Sequence, residues 1–215
     1  MSSLPKPTNY LAVIFSTKIH FCRLTAFVLM LVASQLSFSQ SNSSDALNKQ
    51  QEADIRLLID ISGSMKKNDP ANLRIPAVSL LTELIPDGDK AGVWTFGQWV
   101  NNLVRSKVVD DAWRLDAKEQ AKKINSVALY TSIGAVLEKA ADDFSKPDAD
   151  FSNTHFILLT DGMVDVSKDP QQNVASQKRI LNNIVPALKN AGVKIHTIAL
   201  SSNADKKLMS ALSGI

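Results

Sequence analysis

LLIDISGSM, residues Leu57 to Met65, begins as an apolar run and ends in an acid, two hydroxyls and a glycine. Continuous apolarity over a short length suits a strand buried on both faces, and such a strand has no structural reason to finish in side chains like these. The stretch therefore predicts a central strand whose carboxyl end presents Asp60, Ser62 and Ser64. Further along, AGVWTF (Ala91 to Phe96), THFILLT (Thr154 to Thr160) and VKIHTIAL (Val193 to Leu200) are runs of the same kind.

Between the runs lie helix signals. Asp69-Pro70 and Asp169-Pro170 each set an acid before a proline, which predicts helices over about Ala71 to Ile85 and Gln171 to Asn190. Pro186 should kink or split the second. Helices are also expected at about Ala112 to Asn125 and Ser132 to Phe144. NNLVRSKVV, from Asn101, follows Gly97 closely enough to pair antiparallel with Ala91 to Phe96 as an edge strand. The alternation predicts an α/β fold: a doubly wound, mostly parallel sheet with one antiparallel edge strand and helices on both faces.

In an open sheet of this kind ligands bind beyond the carboxyl ends of the strands, where the strand order reverses. Asp60 lies at one such end, and Asp161, in FILLTDG (Phe156 to Gly162), lies at another. On neighbouring strands about 5 Å apart the two carboxylates would repel by about 3 kcal/mol at an effective dielectric near 20. A cation removes that penalty. With Ser62 and Ser64 the donors are all oxygen, which favours Mg²⁺, or Mn²⁺ or Ca²⁺ in its place, over zinc or copper. Read singly, Asp60 to Ser64 and Asp161-Gly162 are equally good turn formers.

Composition narrows the function classes. The chain has 215 residues, 45% hydrophobic and 21% charged, as in ordinary globular proteins. Residues 1–39 read as a secretory signal: Lys6, Lys18 and Arg23 precede the apolar run LTAFVLMLVA (Leu24 to Ala33), which is about half the ~20 residues needed to span a bilayer. Residues 40–53 are a polar linker, and 54–215 form the folded domain. Cys22, the only cysteine, lies in the leader, so no disulfide is expected. The leader also holds three of the 24 basic residues and none of the 21 acidic ones, leaving the remainder balanced. No basic patch suggests nucleic acid. A secreted, periplasmic or cell-envelope location is expected, with membrane attachment only through an uncleaved leader or a missing C-terminal segment.

D-x-S-x-S after the first strand, Thr131 opening T-S-I-G-A-V-L (Thr131 to Leu137), and L-L-T-D-G at a later strand together resemble the von Willebrand factor type A (VWA) domain with its metal-ion-dependent adhesion site (MIDAS). The resemblance spans Ile55 to Ile215. It implies that Ser62 and Ser64 ligate the metal directly, that Thr131 joins in one ligand state, and that Asp60 and Asp161 act directly or through water. It also implies a protein partner whose Asp or Glu carboxylate completes the coordination. Two positions depart from the family. Tyr130 stands where a small residue, often glycine, is usual, and the chain stops where a last strand and helix are expected.

Two other functions compete. LLIDISGSM is also similar to the first strand of haloacid dehalogenase phosphatases, D-x-D-G-T. Ser62 replaces the second acid there and cannot protonate a leaving group at neutral pH. A structural domain without metal is the third reading. Among single residues, Thr131 alone reads as an N-cap, His155 and His196 as structural, Trp94 and Trp113 as core, and Asp110-Asp111 as solvated helix-end charges. Trp99 should emerge on the same edge of the sheet as Asp60, either at the rim of a ligand surface or packed on its own hairpin.

Overall fold

The computed structural model describes residues 52–142, 150–201 and 204–214. The expected leader (1–39) and the linker up to residue 51 lie outside them. The described elements run β1 (Asp54–Asp60), α1 (Met65–Asn68), α2 (Arg74–Leu84), β2 (Lys90–Phe96), β3 (Val100–Val108), α3 (Asp111–Ala121), α4 (Ile133–Ala140) and β4 (Thr154–Thr160). Then come α5 (Pro170–Arg179), a π turn (Ile180–Ile184), α6 (Val185–Asn190), β5 (Lys194–Ala199) and α7 (Lys206–Ser213).

The strands form one sheet in the order β3-β2-β1-β4-β5. Only the β2–β3 pair is antiparallel. Because β1 lies centrally, with β2 on one side and β4 on the other, the direction of winding reverses between β1 and β4. Asp60 faces Phe96 across β2, and Ile59 faces Leu159 across β4. The ends of β1 and β4 therefore open into the same crevice.

Side chains alternate along each strand, so the sheet has two cores. Leu58, Phe156 and Leu158 pack with Ile133 and Leu137 of α4, Leu188 of α6 and Leu208 of α7. Leu57, Ile59 and Leu159 pack on the other face with Val78 of α2 and with Trp113 and Ala117 of α3. Arg56, which interrupts the first apolar run, is buried beneath the rings of Trp94 and Phe156 and pairs with Asp54 at 2.6 Å.

Helix starts show where sequence signals act. Asp169 caps α5 by accepting from the Gln171 N–H at 2.9 Å, with Pro170 at the first turn as expected. Asp110 is a cap too: exposed at the helix end as expected, it also accepts from the Trp113 N–H at 2.7 Å. The first Asp-Pro pair behaves differently. Its helix starts at Arg74, three residues late, because Asn72 turns through the left-handed region at φ 50°. The Asp69 carboxylate reaches across that turn to accept from the N–H groups of Leu73 (2.7 Å) and Arg74 (3.2 Å).

Pro186 interrupts the long helix as expected. It has no N–H to give the carbonyl four residues back, and the chain widens into the π turn just before it. Among the described residues no helix is long and apolar enough to cross a membrane.

Candidate metal centre at the switch point

Asp60 ends β1 with its side chain wholly buried. Its Oδ1 accepts from the Ser62 N–H at 2.8 Å, and its Oδ2 accepts from the Thr160 hydroxyl at 2.6 Å. Burial pushes its pKa up to about 6 despite the opposing hydrogen bonds from Ser62 and Thr160, and the nearby Asp161 charge adds to the rise. Desolvation dominates: the nearby Arg74 guanidinium donates to the Asp60 backbone carbonyl and pairs with Asp69, not with the Asp60 carboxylate.

The turn after Asp60 brings the two serine hydroxyls together. Ser62 Oγ and Ser64 Oγ are 3.0 Å apart, the first buried and the second exposed, so the pair leads from Asp60 to the surface. Asp161 follows β4 and is also buried. Its Oδ2 accepts from Asn68 Nδ2 at 2.9 Å, and its Oδ1 accepts weakly from the Met163 N–H at 3.4 Å. Gly162 takes φ +78° here, with Met209 and the Asp205 backbone closing the space a Cβ would need.

Thr131 enters through its backbone. Its segment pairs with Asp165 beyond β4, and Ala128, three residues earlier, pairs with Ser62 beyond β1. The loops that carry Ser62, Thr131 and Asp161 are thereby tied edge to edge. Thr131 is buried, but the helix behind it is flanked by Ser132 and begins at Ile133, so Thr131 is not its N-cap. Tyr130 sits at φ 59°, a conformation that costs most side chains about 1–2 kcal/mol and that glycine adopts freely.

Three residues of the site were not anticipated. Thr160 holds Asp60, and Asn68 holds Asp161 from one helical turn beyond Ser64. Arg74 is fully buried and binds three segments at once. It donates to the Asp60 carbonyl (2.5 Å), to the Asn125 carbonyl (3.1 Å) and Ser126 Oγ (2.6 Å), and to Asp69 (2.8 Å). Thr160 and Asn68 were visible as polar neighbours of the motif, whereas nothing local marked Arg74.

The remaining sequence candidates divide. Trp94 and Trp113 are buried, while Trp99 is 73% exposed and so is not packed on its hairpin. His155 and His196 stack on each other with nitrogens 3.0 Å apart, away from the switch point near the amino ends of β4 and β5. A groove of about 440 Å³ between α4 and the π turn, lined by Glu138, Arg179 and Leu188, lies on the flank of the domain.

The donor set fits a hard divalent cation. Two carboxylates and two hydroxyls present only oxygen, and the desolvated Asp60 gains from a positive neighbour. Among the described residues no three of His, Cys, Asp and Glu gather at one point, so an ion held here would draw on hydroxyls as well as carboxylates.

An open α/β sheet with an oxygen-lined crevice at its switch point defines the class. The profile of the von Willebrand factor type A domain matches residues 54–215, and the chain belongs to that family. The family is known for protein–protein interaction, and its domains are generally non-enzymatic adhesion modules. The match decides between the two sequence resemblances in favour of this one.

Solved structures agree on the fold. Manganese-loaded TRAP protein of Plasmodium vivax aligns at 21% identity and TM-score 0.59, over 76% of this chain and 63% of that one. Proximal thread matrix protein 1 of the mussel byssus aligns at 22% and 0.54, over 75% and 39%. The von Willebrand factor domain of the type V pili tip protein Mfa5 from Porphyromonas gingivalis aligns at 13% and 0.50, over 75% and 86%. The chain thus spans less than two thirds of the length of the first two. A search of curated proteins gives no match.

Proposed function

We propose that this chain is a metal-dependent protein-binding module. Asp60, Ser62, Ser64, Thr131 and Asp161 would hold a divalent cation, Mg²⁺ or in its place Mn²⁺ or Ca²⁺. A bound cation would supply positive charge and an open coordination position for an Asp or Glu carboxylate of the partner. The observation that carries the reading is the wholly buried carboxylate of Asp60 at the switch point, its pKa pushed up to about 6 by burial and neither of its oxygens paired with a cationic side chain.

The chain's own residues prepare the site. Thr160 and the Ser62 N–H fix both Asp60 oxygens, Asn68 orients Asp161, and Arg74 holds the Asp60 carbonyl against the loop leading to Thr131. The manganese in the TRAP structure supports a divalent ion in a domain of this fold. The leader-like residues 1–39 support secretion or residence in the cell envelope, in keeping with the pilus-tip setting of Mfa5.

Isothermal titration of Mg²⁺ into the full chain near pH 7.5 tests the reading. Saturable uptake that Asp60→Ala abolishes is the expected result. Uptake unchanged in Asp60→Ala, in a variant whose circular dichroism matches the parent, would overturn it.

A further inference from the structure

Four large apolar side chains point outward from the loops around the crevice: Trp99 (73% exposed), Val127 (71%), Leu129 (65%) and Met163 (56%). Backbone pairing places these loops side by side. Gly97 lies so close to the 128–130 segment that a Cβ on it would fall 2.3 Å from that of Ala128, and the Ser132 N–H donates to the Gly97 carbonyl at 3.1 Å. That joins the Trp99 hairpin to the loop of Val127 and Leu129. Ala128 pairs in turn with Ser62, and Thr131 with Asp165, two residues beyond Met163. The apolar side chains therefore flank the Ser62–Ser64 and Asp161 turns.

Their exposure has no folding rationale. Both cores of the sheet are closed without them, and the other two tryptophans, Trp94 and Trp113, are buried. An aromatic ring beside a polar, charge-seeking centre is the usual chemistry of an interface anchor, where apolar contact supplies affinity and the polar group supplies register.

From this we infer that the rim selects the partner by what surrounds its acid: a protein segment in which the Asp or Glu has a bulky aliphatic or aromatic neighbour. The inference rests on the metal-dependent reading of the crevice. The carboxylate meets the cation at the centre while the neighbouring side chain covers Trp99 and Leu129, so the two contacts reinforce each other only when adjacent in the partner.

The test exposes the full chain, in Mg²⁺, to arrayed short peptides with a central Asp or Glu flanked by Ser, Lys, Leu or Phe. Peptides with Leu or Phe beside the acid should be retained about tenfold more strongly than those with Ser, corresponding to burial of one side chain. EDTA should release them, and their binding should shift Trp99 fluorescence to the blue. The preference should vanish in the double variant Trp99→Ser, Leu129→Ser, which removes only exposed side chains and keeps Mg²⁺ uptake.

Metal-dependent retention of Ser-flanked and Leu-flanked acids to the same extent would overturn the rim while leaving the metal reading intact. A preference that survives in the double variant would do the same. Retention indifferent to EDTA, or by no peptide, would remove both. A blue shift with neutral phospholipid vesicles in the absence of metal would assign the rim to a membrane surface instead and overturn the peptide assignment.

Discussion

Burial raises the pKa of Asp60, whereas a salt-bridged carboxylate has its pKa lowered. The folded protein keeps its proton up to about pH 6, whereas the ordinary value is 3.8. Between those limits the metal-free folded state binds more protons than the unfolded chain, so this group makes stability fall as pH rises. The loss amounts to about 3 kcal/mol by neutral pH. Urea titrations in EDTA at pH 4.5 and 7.5 should show the fall, and Asp60→Asn should flatten it. Arg74 makes a second prediction at this scale. Arg74→Leu strands Asp69 in the interior and unties the Asp60 carbonyl from the Asn125 segment. A loss of about 3 kcal/mol or more is expected on chemical denaturation, together with weaker Mg²⁺ uptake by titration.

The turns between elements set how close the loops approach. Gly97 permits the hairpin after β2 to lie against Ala128, and Gly97→Ala would set two Cβ atoms 2.3 Å apart. The 125–131 segment must move, at a cost of about 1–3 kcal/mol. Thermal melts should register the loss, and adding Ala128→Gly should recover most of it. The elements themselves differed in how readily sequence disclosed them. The central strand was legible because both of its faces are covered, which writes an unbroken apolar run into Leu57–Ile59, whereas the similar run at Val193 to Leu200 forms an edge strand in which Ile195 alone of Lys194–Ala199 is buried. Of the candidate site, Asp60 to Ser64 and Asp161 were picked out at the carboxyl ends of apolar runs, and Thr131 through the family resemblance. The start of α2 was misread because Asp-Pro resembles a cap, yet here the acid serves N–H groups four and five residues on. Arg74 could not be read at all and Thr160 only as a polar neighbour of the motif, since their partners at the site, Asp60, Asn125 and Ser126, lie 14 to 100 residues away and only the folded sheet brings them together.

At the scale of the whole molecule, a cation that binds only the folded state stabilises it by mass action. With Mg²⁺ at about a hundredfold over its dissociation constant, the gain is about 2.7 kcal/mol. For a domain of this size that is a rise of about 5–10 °C in Tm. Scanning calorimetry of the full chain with and without Mg²⁺ should show it, and Asp60→Ala should abolish the difference without abolishing the transition. Two separate cores close on either side of one sheet beneath the crevice, so a cation bound there would stabilise a fold already complete without it.

The wide turn at Ile180–Ile184 bears on how this chain can change length. Such a turn absorbs one surplus residue while the helical segments on either side keep their phase, so Ile180 and Leu188 both still face inward. Excising the exposed Asn182 would restore ordinary winding, but Pro186 would then crowd the backbone of the preceding turn, at about 3 kcal/mol. Joined to Pro186→Ala, the same deletion should leave the melting temperature nearly unaltered, which makes the extra asparagine and the proline a linked pair in any shortened descendant.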